Sequence, residues 1–497
     1  MSSIESKITK SVSYQFLNLI VSGLAGVFFI PFIISSLGKD QYGIFEIAFS
    51  LNIINSVLDI GIGSTITNYA KKYFDLEGKE FSEFFWTFFW LKVFLSIIGL
   101  LICIFIAENV EYIFQKVSKD SAVLLRQAII WFGVGVLIQN LNSFIDGIVN
   151  GFIRFDMTSF ASICSKFFYV LAFFIWFYLG DLSIVEFSLL TFVLVPLVKL
   201  ITQLMQVILY TPEIITFPVS PKISYIKDTA NYLGGISFVT ISAQLFNHGT
   251  QIMLAIIASP VLVGEFGILQ RIIRLVRQVS DMLVRPVLPA AHDLKKKYSI
   301  KKIITKGTNI HSIIVIGVIF IMLINGENIS RYYLQSEYPN FSLHLTILGA
   351  QMLVPSFAIM LMLYYNEGKS KMSVQFNVFN TLISISLAYL GVKFFGFLGF
   401  IVGLTLGYII CILFQLMRYL RYYEISILDY LKIYGKIYFS ISASFAGYLL
   451  INSIITDEIS RIIFSNIIAL TILGVFSWYS LDQSLKDKVL QMVKRET

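Results

Sequence analysis

The most unusual segment of this 497-residue chain is GEFGILQRIIRLVRQVSDMLVRPVLPA, residues 264–290. It is as long as a membrane-spanning helix, yet it carries charged residues at Arg271, Arg274, Arg277, Asp281 and Arg285. On a helix these residues fall within roughly 120° of one another. An arginine at the bilayer centre costs at least about 2.5–3.5 kcal/mol. We therefore predict that this face meets water, a protein partner or an anionic ligand, and forms one wall of a hydrated path.

The composition of the whole chain is that of a membrane protein. It is 57% hydrophobic and only 14% charged. Apolar runs of about 20 residues, the length that crosses a bilayer, recur from one end to the other. We predict an all-α polytopic membrane protein with fourteen transmembrane helices.

A short repeat relates the two halves of the chain. Residues 41–45 (QYGIF) open the second predicted span and residues 265–269 (EFGIL) open the eighth, each after the long first helix of its half. Six spans per half give both copies the same orientation, which is a parallel repeat. The predicted organisation is an N-terminal six-helix bundle at 1–212, a cytoplasmic linker at 213–229, a C-terminal six-helix bundle at 230–425, and two last transmembrane helices with a cytoplasmic tail at 426–497.

The basic residues indicate the orientation. Most lie in connections on the side of the N-terminus, including a lysine cluster between residues 295 and 306, and we assign Lys166 to that side as well. Since lysine and arginine accumulate in cytoplasmic loops, both termini are predicted to be cytoplasmic. The net charge of +8 is then a feature of topology and implies no nucleic-acid partner. No ATP-binding loop occurs and the four histidines lack metal-ligand spacing, so no cofactor is expected.

Motifs near the start of the chain carry a family resemblance. Residues 37–43 (LGKDQYG) follow a first helix that bears serine, glutamine and asparagine, and residues 59–63 (DIGIG) precede residues 69–71 (YAK). This arrangement resembles the polysaccharide-unit flippases, the Wzx-type O-antigen and capsule transporters of the multidrug/oligosaccharidyl-lipid/polysaccharide exporter superfamily. In organisation the resemblance covers essentially the whole chain.

The resemblance implies two six-helix bundles that form a V around a central cavity, lined by the first two helices of each bundle. It also implies alternating access, in which an undecaprenyl-diphosphate-linked glycan moves from the cytoplasmic to the outer leaflet of a bacterial inner membrane. A proton or sodium ion is the expected coupling ion. A contact with the polymerase of the same pathway is a further expectation.

Polar residues form stripes on several predicted spans, with Asn18 in the first and Gln244 and His248 in the seventh. Such side chains either hydrogen-bond to neighbouring helices or line a cavity, where amides and hydroxyls suit sugar hydroxyls. Both alternatives remain open. The predicted substrate-binding residues are Arg271, Arg274, Arg277, Asn18, Gln244 and His248.

The charged residues inside the spans divide into two groups. Guanidinium groups match a diphosphate with paired hydrogen bonds, and Arg271 and Arg274 have no acid three or four residues away. The alternative is pairing with an acid from another helix, namely Asp59, Asp146 or Glu46. A further alternative makes residues 264–290 an interfacial helix. Intramembrane carboxylates can bind a coupling ion, and the predicted candidates are Asp59, Asp146 and Asp281.

Other classes of function fit the sequence less well. A membrane enzyme such as a glycan polymerase usually places its catalytic residues on a large outer loop, and every outer connection here is short. A cation-coupled drug exporter is disfavoured because an arginine-rich helix attracts anions. A lipid II flippase shares the diphosphate, so charge alone does not separate it from the flippase of a polysaccharide unit.

Overall fold

The computed structural model describes residues 13–15, 17, 18, 21–23, 26, 29–59, 61–74, 78–180, 183–214, 216, 218–284, 299–335, 337–367, 371–455 and 457–480, and all their regular secondary structure is helical. Seven helices within these ranges are long and apolar enough to cross a membrane: Lys79–Glu108, Lys119–Gly151, Phe155–Leu179, Ile184–Tyr210, Ile300–Ile324, Met372–Tyr422 and Ile427–Ile454. The protein is therefore a polytopic all-α membrane protein, as predicted.

The predicted number of fourteen spans stays a prediction. One of the seven long helices contains two predicted spans, the eleventh and the twelfth. This helix, Lys371–Tyr422, changes direction at Gly396, which lies between them. The arginine helix, Pro260–Val284, is not among the seven, since its charged residues lower its hydropathy.

Two compact units make up the chain, Met1–Arg271 and Ile272–Thr497. The N-terminal unit contains α1 (Ile30–Ser50), α2 (Asn52–Asp59), α3 (Ile62–Phe74), α4 (Gly78–Glu108), α5 (Lys119–Gly151), α6 (Phe155–Leu179), α7 (Ile184–Tyr210), α8 (Ile223–Gln244), α9 (Thr250–Ile257) and the first half of α10 (Pro260–Val284). The C-terminal unit continues with the rest of α10, then α11 (Ile300–Ile324), α12 (Phe341–Gly349), α13 (Ala358–Asn366), α14 (Lys371–Tyr422), α15 (Ile427–Ile454) and α16 (Glu458–Ser480).

Local sequence sets the ends and bends of helices in the N-terminal unit. The side chain of Ser118 caps α5 by accepting a hydrogen bond from the backbone N–H of Ser121. Ser183 and Glu186 form a capping box at the start of α7. Gly38 interrupts α1 with a φ of 74°, within the connection predicted between the first two spans. Residues with a Cβ atom rarely adopt that backbone conformation, so glycine is favoured there.

Close helix contact in the N-terminal unit depends on glycines of the sequence repeat. A Cβ atom at Gly43 would lie 2.0 Å from the carbonyl oxygen of Pro260, and one at Gly267 would lie 2.5 Å from the Glu46 carboxylate. Gly43 and Gly267 occupy the same position in the two copies of the repeat. Both copies therefore use this glycine to bring α1 and α10 together.

A helical hairpin dominates the middle of the C-terminal unit. The two arms of α14 meet along Gly399, Gly403 and Gly407, which recur every four residues and so share one face. A Cβ atom at Gly403 would lie 2.3 Å from the carbonyl oxygen of Leu387. The arms are thus in backbone contact, as small-residue repeats permit in membrane helices.

The tenth predicted span is not a continuous helix. It is expected over 343–365, but the structure has α12, a short 3-10 turn at Ala350–Met352, and then α13 from Ala358. Pro355 lies in the gap, where it removes a backbone donor and prevents helical bonding. The freed backbone groups are satisfied from α15: Tyr438 donates to the carbonyl oxygen of Leu353, and the N–H of Ser356 donates to the hydroxyl of Tyr434 at 2.7 Å.

Candidate functional site

The arginine helix α10 carries its guanidinium groups at three successive levels. Arg271, Arg274 and Arg277 are all half-buried, whereas Asp281 near the end of the helix is exposed. Arg285 lies outside the described residues. The three arginines of the predicted charged face are therefore all partly accessible, over about two turns of the helix.

Arg271 is paired with a carboxylate from α1. Its guanidinium forms an ion pair with Glu46, whose side chain is only 1% exposed. Tyr42 donates to the same carboxylate at 2.9 Å, and Gln251 of α9 donates to it at 2.9 Å. Of the two alternatives for Arg271, the structure thus shows pairing with Glu46. We refer to Tyr42, Glu46, Gln251 and Arg271 as the Glu46 cluster.

Aromatic rings enclose the cationic side of the Glu46 cluster. The guanidinium carbon of Arg271 lies 5.8 Å from the ring centroid of Tyr42 and 5.7 Å from that of Phe49. Phe49 contacts the predicted site residue His248 edge to face, at 5.9 Å between centroids. His248 is buried against this ring, while Gln244, one turn earlier, is half-buried at the end of α8. The structure places His248 one ring away from Arg271.

Asp59 belongs to a network that joins three helices. It forms an ion pair with Lys92 of α4, whose side chain is completely buried. Ser143 of α5 donates to Asp59 at 3.2 Å, and Lys92 also donates to Asn140 at 3.2 Å. Asn140 in turn donates to Asn55 of α2 at 3.0 Å. These contacts show the interhelical alternative for the polar residues of the second and fourth spans.

Asp146 is likewise paired. Lys199 of α7 donates to it at 2.6 Å, and Gln203, one turn further along α7, donates to its other oxygen. Both side chains of the ion pair are partly exposed, at 26% for Asp146 and 21% for Lys199. Both members of this pair are therefore more exposed than Glu46, whose side chain is 1% exposed.

The assignment of Lys166 to a cytoplasmic connection is wrong. The residue lies in the middle of α6, where its ammonium group donates to Asn18 at 2.6 Å and also to Ser22. Counting basic residues by loop misses it because a lone lysine barely interrupts the apolar run around it. The structure thus brings the predicted site residue Asn18 together with an intramembrane cation.

Arg277 lies beside the broken tenth span in the C-terminal unit. It donates to the side-chain oxygen of Gln351 at 3.2 Å and stacks 5.2 Å from the ring centroid of Tyr408. One turn along α10, the hydroxyl of Ser280 is 2.7 Å from His311 of α11. The lower half of α10 is therefore in contact with neutral polar groups of three other segments.

Some contacts in these clusters are not indicated by the sequence. Glu46 is among the predicted acid partners of Arg271, but the contribution of Tyr42, four residues earlier on the same helix face, is not predicted. Gln351 comes directly before the helix break, and its contact with Arg277 spans 74 residues of sequence. Such partners follow from tertiary packing rather than from local pattern.

Comparison with known proteins identifies the fold. The chain is similar to the lipid II flippase MurJ in an inward closed conformation, with a TM-score of 0.71, 13% identity, and coverage of 94% of this chain and 97% of that one. It is similar to an inward-facing MATE-family multidrug resistance transporter of the MOP superfamily, with a TM-score of 0.64, 14% identity, and coverage of 83% and 98%. A third similar structure is the MATE multidrug transporter DinF-BH, with a TM-score of 0.56, 17% identity, and coverage of 84% and 96%.

These likenesses span nearly the full length of each solved chain, so the fold is the one shared by MurJ and the MATE transporters. No protein-family model matches the sequence, and no curated protein matches it.

Proposed function

We propose that the protein is a flippase that moves an undecaprenyl-diphosphate-linked oligosaccharide, such as an O-antigen or capsule repeat unit, from the cytoplasmic to the outer leaflet of the inner membrane. The observation that carries this proposal is the pair of half-buried arginines, Arg274 and Arg277, on a 25-residue helix in a fold shared with a lipid II flippase. Partly desolvated guanidinium groups on such a helix favour a cargo that carries phosphate.

The polar character of the helices fits the other part of the cargo. Side-chain amides such as Gln244 and Gln351 offer both donors and acceptors, which sugar hydroxyls require. The proposed cargo therefore matches two kinds of side chain, guanidinium groups for its phosphate and amides for its sugar.

A lipid II flippase is the second candidate, because the solved lipid II flippase has a TM-score of 0.71 to this chain. Its cargo carries the same diphosphate. The two candidates differ in the sugar, so a substrate comparison separates them.

The test is translocation in vesicles that contain the purified protein. Undecaprenyl-diphosphate-linked oligosaccharide, lipid II and a cationic dye are each supplied, and the fraction that changes leaflet is measured with an impermeant sugar-modifying or quenching reagent. We expect transport of the first cargo, at a rate that Arg274→Gln and Arg277→Gln each lower about tenfold or more, since a hydrogen bond to a charged group contributes about 1.5–3 kcal/mol. Lysine at either position restores part of the rate, because charge returns without the planar fork.

Arg126→Gln is the matched control. Arg126 is 51% exposed and pairs with Glu108 at 2.6 Å at the end of α4, so its loss should leave transport unchanged. Transport of dye but not of lipid-linked glycan would instead identify a drug exporter, and wild-type rates in the Arg274/Arg277 double variant would remove the phosphate-binding role.

The same vesicles test coupling. Asp59, Asp146 and Asp281 remain the proposed ion sites. The side chains of Asp59 and Asp146 are about equally exposed, at 27% and 26%, but Lys199, the partner of Asp146, is 21% exposed, whereas Lys92, the partner of Asp59, is fully buried. If a proton binds Asp146, Asp146→Asn transports at a rate that no longer depends on an imposed proton gradient. A sodium gradient applied in its place distinguishes the two ions.

A further inference from the structure

Charged groups inside the helices of the N-terminal unit are mostly balanced in pairs. Glu46 pairs with Arg271, Asp59 with Lys92, and Asp146 with Lys199. Lys166 differs from these cations. Within the part of the chain that the structure describes, its hydrogen-bond partners are the neutral side chains of Asn18 and Ser22.

The position of Lys166 makes its positive charge costly. It is near the centre of the 25-residue helix α6, about 16 Å from the first residue at 1.5 Å per residue. Ring contacts on both sides of Lys166 hold described residues before α1 against α6, with Tyr14 against Phe160 and Phe29 against Phe173. A lysine at mid-membrane depth costs about 2.5–3.5 kcal/mol or more, and an amide and a hydroxyl supply no opposite charge.

The neighbouring helix α7 supplies Lys166 with no counter-charge. Helices α6 and α7 pack together, and the charged side chain that acts on Lys166 from α7 is a second cation, Lys199, which is itself paired with Asp146. An ammonium group has three donors, of which Asn18 and Ser22 receive two. Lys166, Asn18 and Ser22 are each half-buried, so part of the group is open to an occupant.

We propose that Lys166, Asn18 and Ser22 form a phosphate subsite in the N-terminal unit, which binds the diphosphate of the lipid-linked cargo. The ammonium group supplies the charge, and the amide N–H of Asn18 donates to a phosphate oxygen. The hydroxyl of Ser22 donates to the backbone carbonyl oxygen of Asn18 and accepts from Lys166, so it positions the ammonium group. This inference rests on the proposed function for the identity of the cargo. It adds a second cationic contact for phosphate, on helices other than the arginine helix.

Binding to the purified full-length protein in nanodiscs tests the subsite, with undecaprenyl diphosphate, undecaprenol and inorganic diphosphate as probes. Lys166→Met should raise the Kd for undecaprenyl diphosphate about tenfold or more and change that for undecaprenol less than about twofold. Asn18→Asp should have the same effect, because it places a carboxylate beside Lys166 and so supplies the missing counter-charge within the protein. Lys72→Met, at an exposed lysine of α3, is the control and should bind all probes as the wild type does.

The inorganic probe distinguishes the two sources of phosphate. If it competes with undecaprenyl diphosphate in the wild type and not in Lys166→Met, the anion alone suffices for the subsite; if it fails to compete, the subsite takes phosphate only on a lipid. Unchanged affinity for undecaprenyl diphosphate in both Lys166→Met and Asn18→Asp overturns the inference, as does a wild type that binds neither phosphate probe.

Failure of the proposed function looks different. A wild type that binds undecaprenyl diphosphate through Lys166 but moves no lipid-linked glycan in vesicles would contradict the flippase and leave the subsite standing. Transport in the wild type, together with unaltered binding in both variants, would contradict the subsite alone.

Discussion

Removing either partner of the Asp59–Lys92 ion pair should destabilise the N-terminal unit, and by unequal amounts. The Lys92 side chain is completely buried, whereas 27% of the Asp59 side chain is exposed. Asp59→Asn therefore leaves a buried ammonium group whose partners are all neutral, namely the substituted amide, Asn140 at 3.2 Å and Ser143 at 3.3 Å. Lys92→Met leaves a carboxylate that is partly exposed and still accepts a hydrogen bond from Ser143 at 3.2 Å.

The magnitudes follow from this difference in burial. Leaving a buried charge without its partner costs about 3–5 kcal/mol, which is the loss we expect for Asp59→Asn. For Lys92→Met we expect about 1–3 kcal/mol, the cost of a partly solvated group that has lost one strong hydrogen bond. The double variant, Asp59→Asn with Lys92→Met, removes both charges and should recover most of the loss, because apolar or neutral replacements of a buried pair are often close to neutral in stability.

The assay is reversible unfolding in mixed micelles, in which an increasing fraction of denaturing detergent is added and helix content is followed by circular dichroism. The four proteins form a double-mutant cycle, and we expect a coupling free energy of at least about 2 kcal/mol. A matched cycle at the exposed pair Lys301–Asp429, where both partners are about half exposed at 56% and 44%, should give a coupling below about 1 kcal/mol. The reasoning is refuted if Lys92→Met is less stable than Asp59→Asn, or if the two losses are simply additive.

Two further predictions concern contacts that hold helices together. Gly403→Leu should disrupt the α14 hairpin and lower the yield of folded protein, because its Cβ atom would lie 2.3 Å from the carbonyl oxygen of Leu387. The control is Gly435→Leu, since a Cβ atom there meets nothing within 4 Å. Equal yields of the two variants by size-exclusion chromatography would contradict the prediction. Glu46→Gln should cost about 3–5 kcal/mol in the same unfolding assay, because Arg271 loses its counter-charge, and the Glu46→Gln/Arg271→Met double variant should be more stable than the single one.

Much of the helical architecture follows from local sequence. The apolar runs predict the long helices, the LGKDQYG motif contains the Gly38 at which α1 changes direction, and Gly396 falls between the eleventh and twelfth predicted spans. Pro355 indicates a bend in the tenth span, but the full break needs Tyr434 and Tyr438 of α15 to satisfy the freed backbone. Tyr434 is 78 residues away from Ser356 in sequence, so no local pattern contains that information.

The sequence identifies the intramembrane charged residues, but it does not identify the partner of each one. Arg271, Asp59 and Asp146 are each recognisable as intramembrane charges, but their partners are 225, 33 and 53 residues away. The cost of an isolated charge in the bilayer requires a partner without naming it. Lys166 lies within the apolar run of the fifth predicted span, but the sequence does not indicate its contacts with Asn18 and Ser22, which are 148 and 144 residues away.

The ion pairs of the N-terminal unit determine which of its cations can attract an anionic cargo. In a low-dielectric interior an ion pair satisfies each member and leaves little attraction for a third charge, so Glu46, Asp59 and Asp146 largely neutralise the cations beside them. Binding of an anionic cargo in the N-terminal unit must then depend on cations whose described partners are neutral, such as Lys166.

The same pairing extends the proposed coupling at Asp146. If a proton binds Asp146, Lys199 loses its counter-charge, and Lys199 lies on the helix packed against α6, which carries Lys166. Cargo affinity in the N-terminal unit should therefore rise when Asp146 is neutral. Asp146→Asn should bind undecaprenyl diphosphate in nanodiscs more tightly than the wild type does, and this gain should vanish when Lys166 is also changed to Met. A gain that persists in the double variant would show that Lys199 attracts the cargo without Lys166.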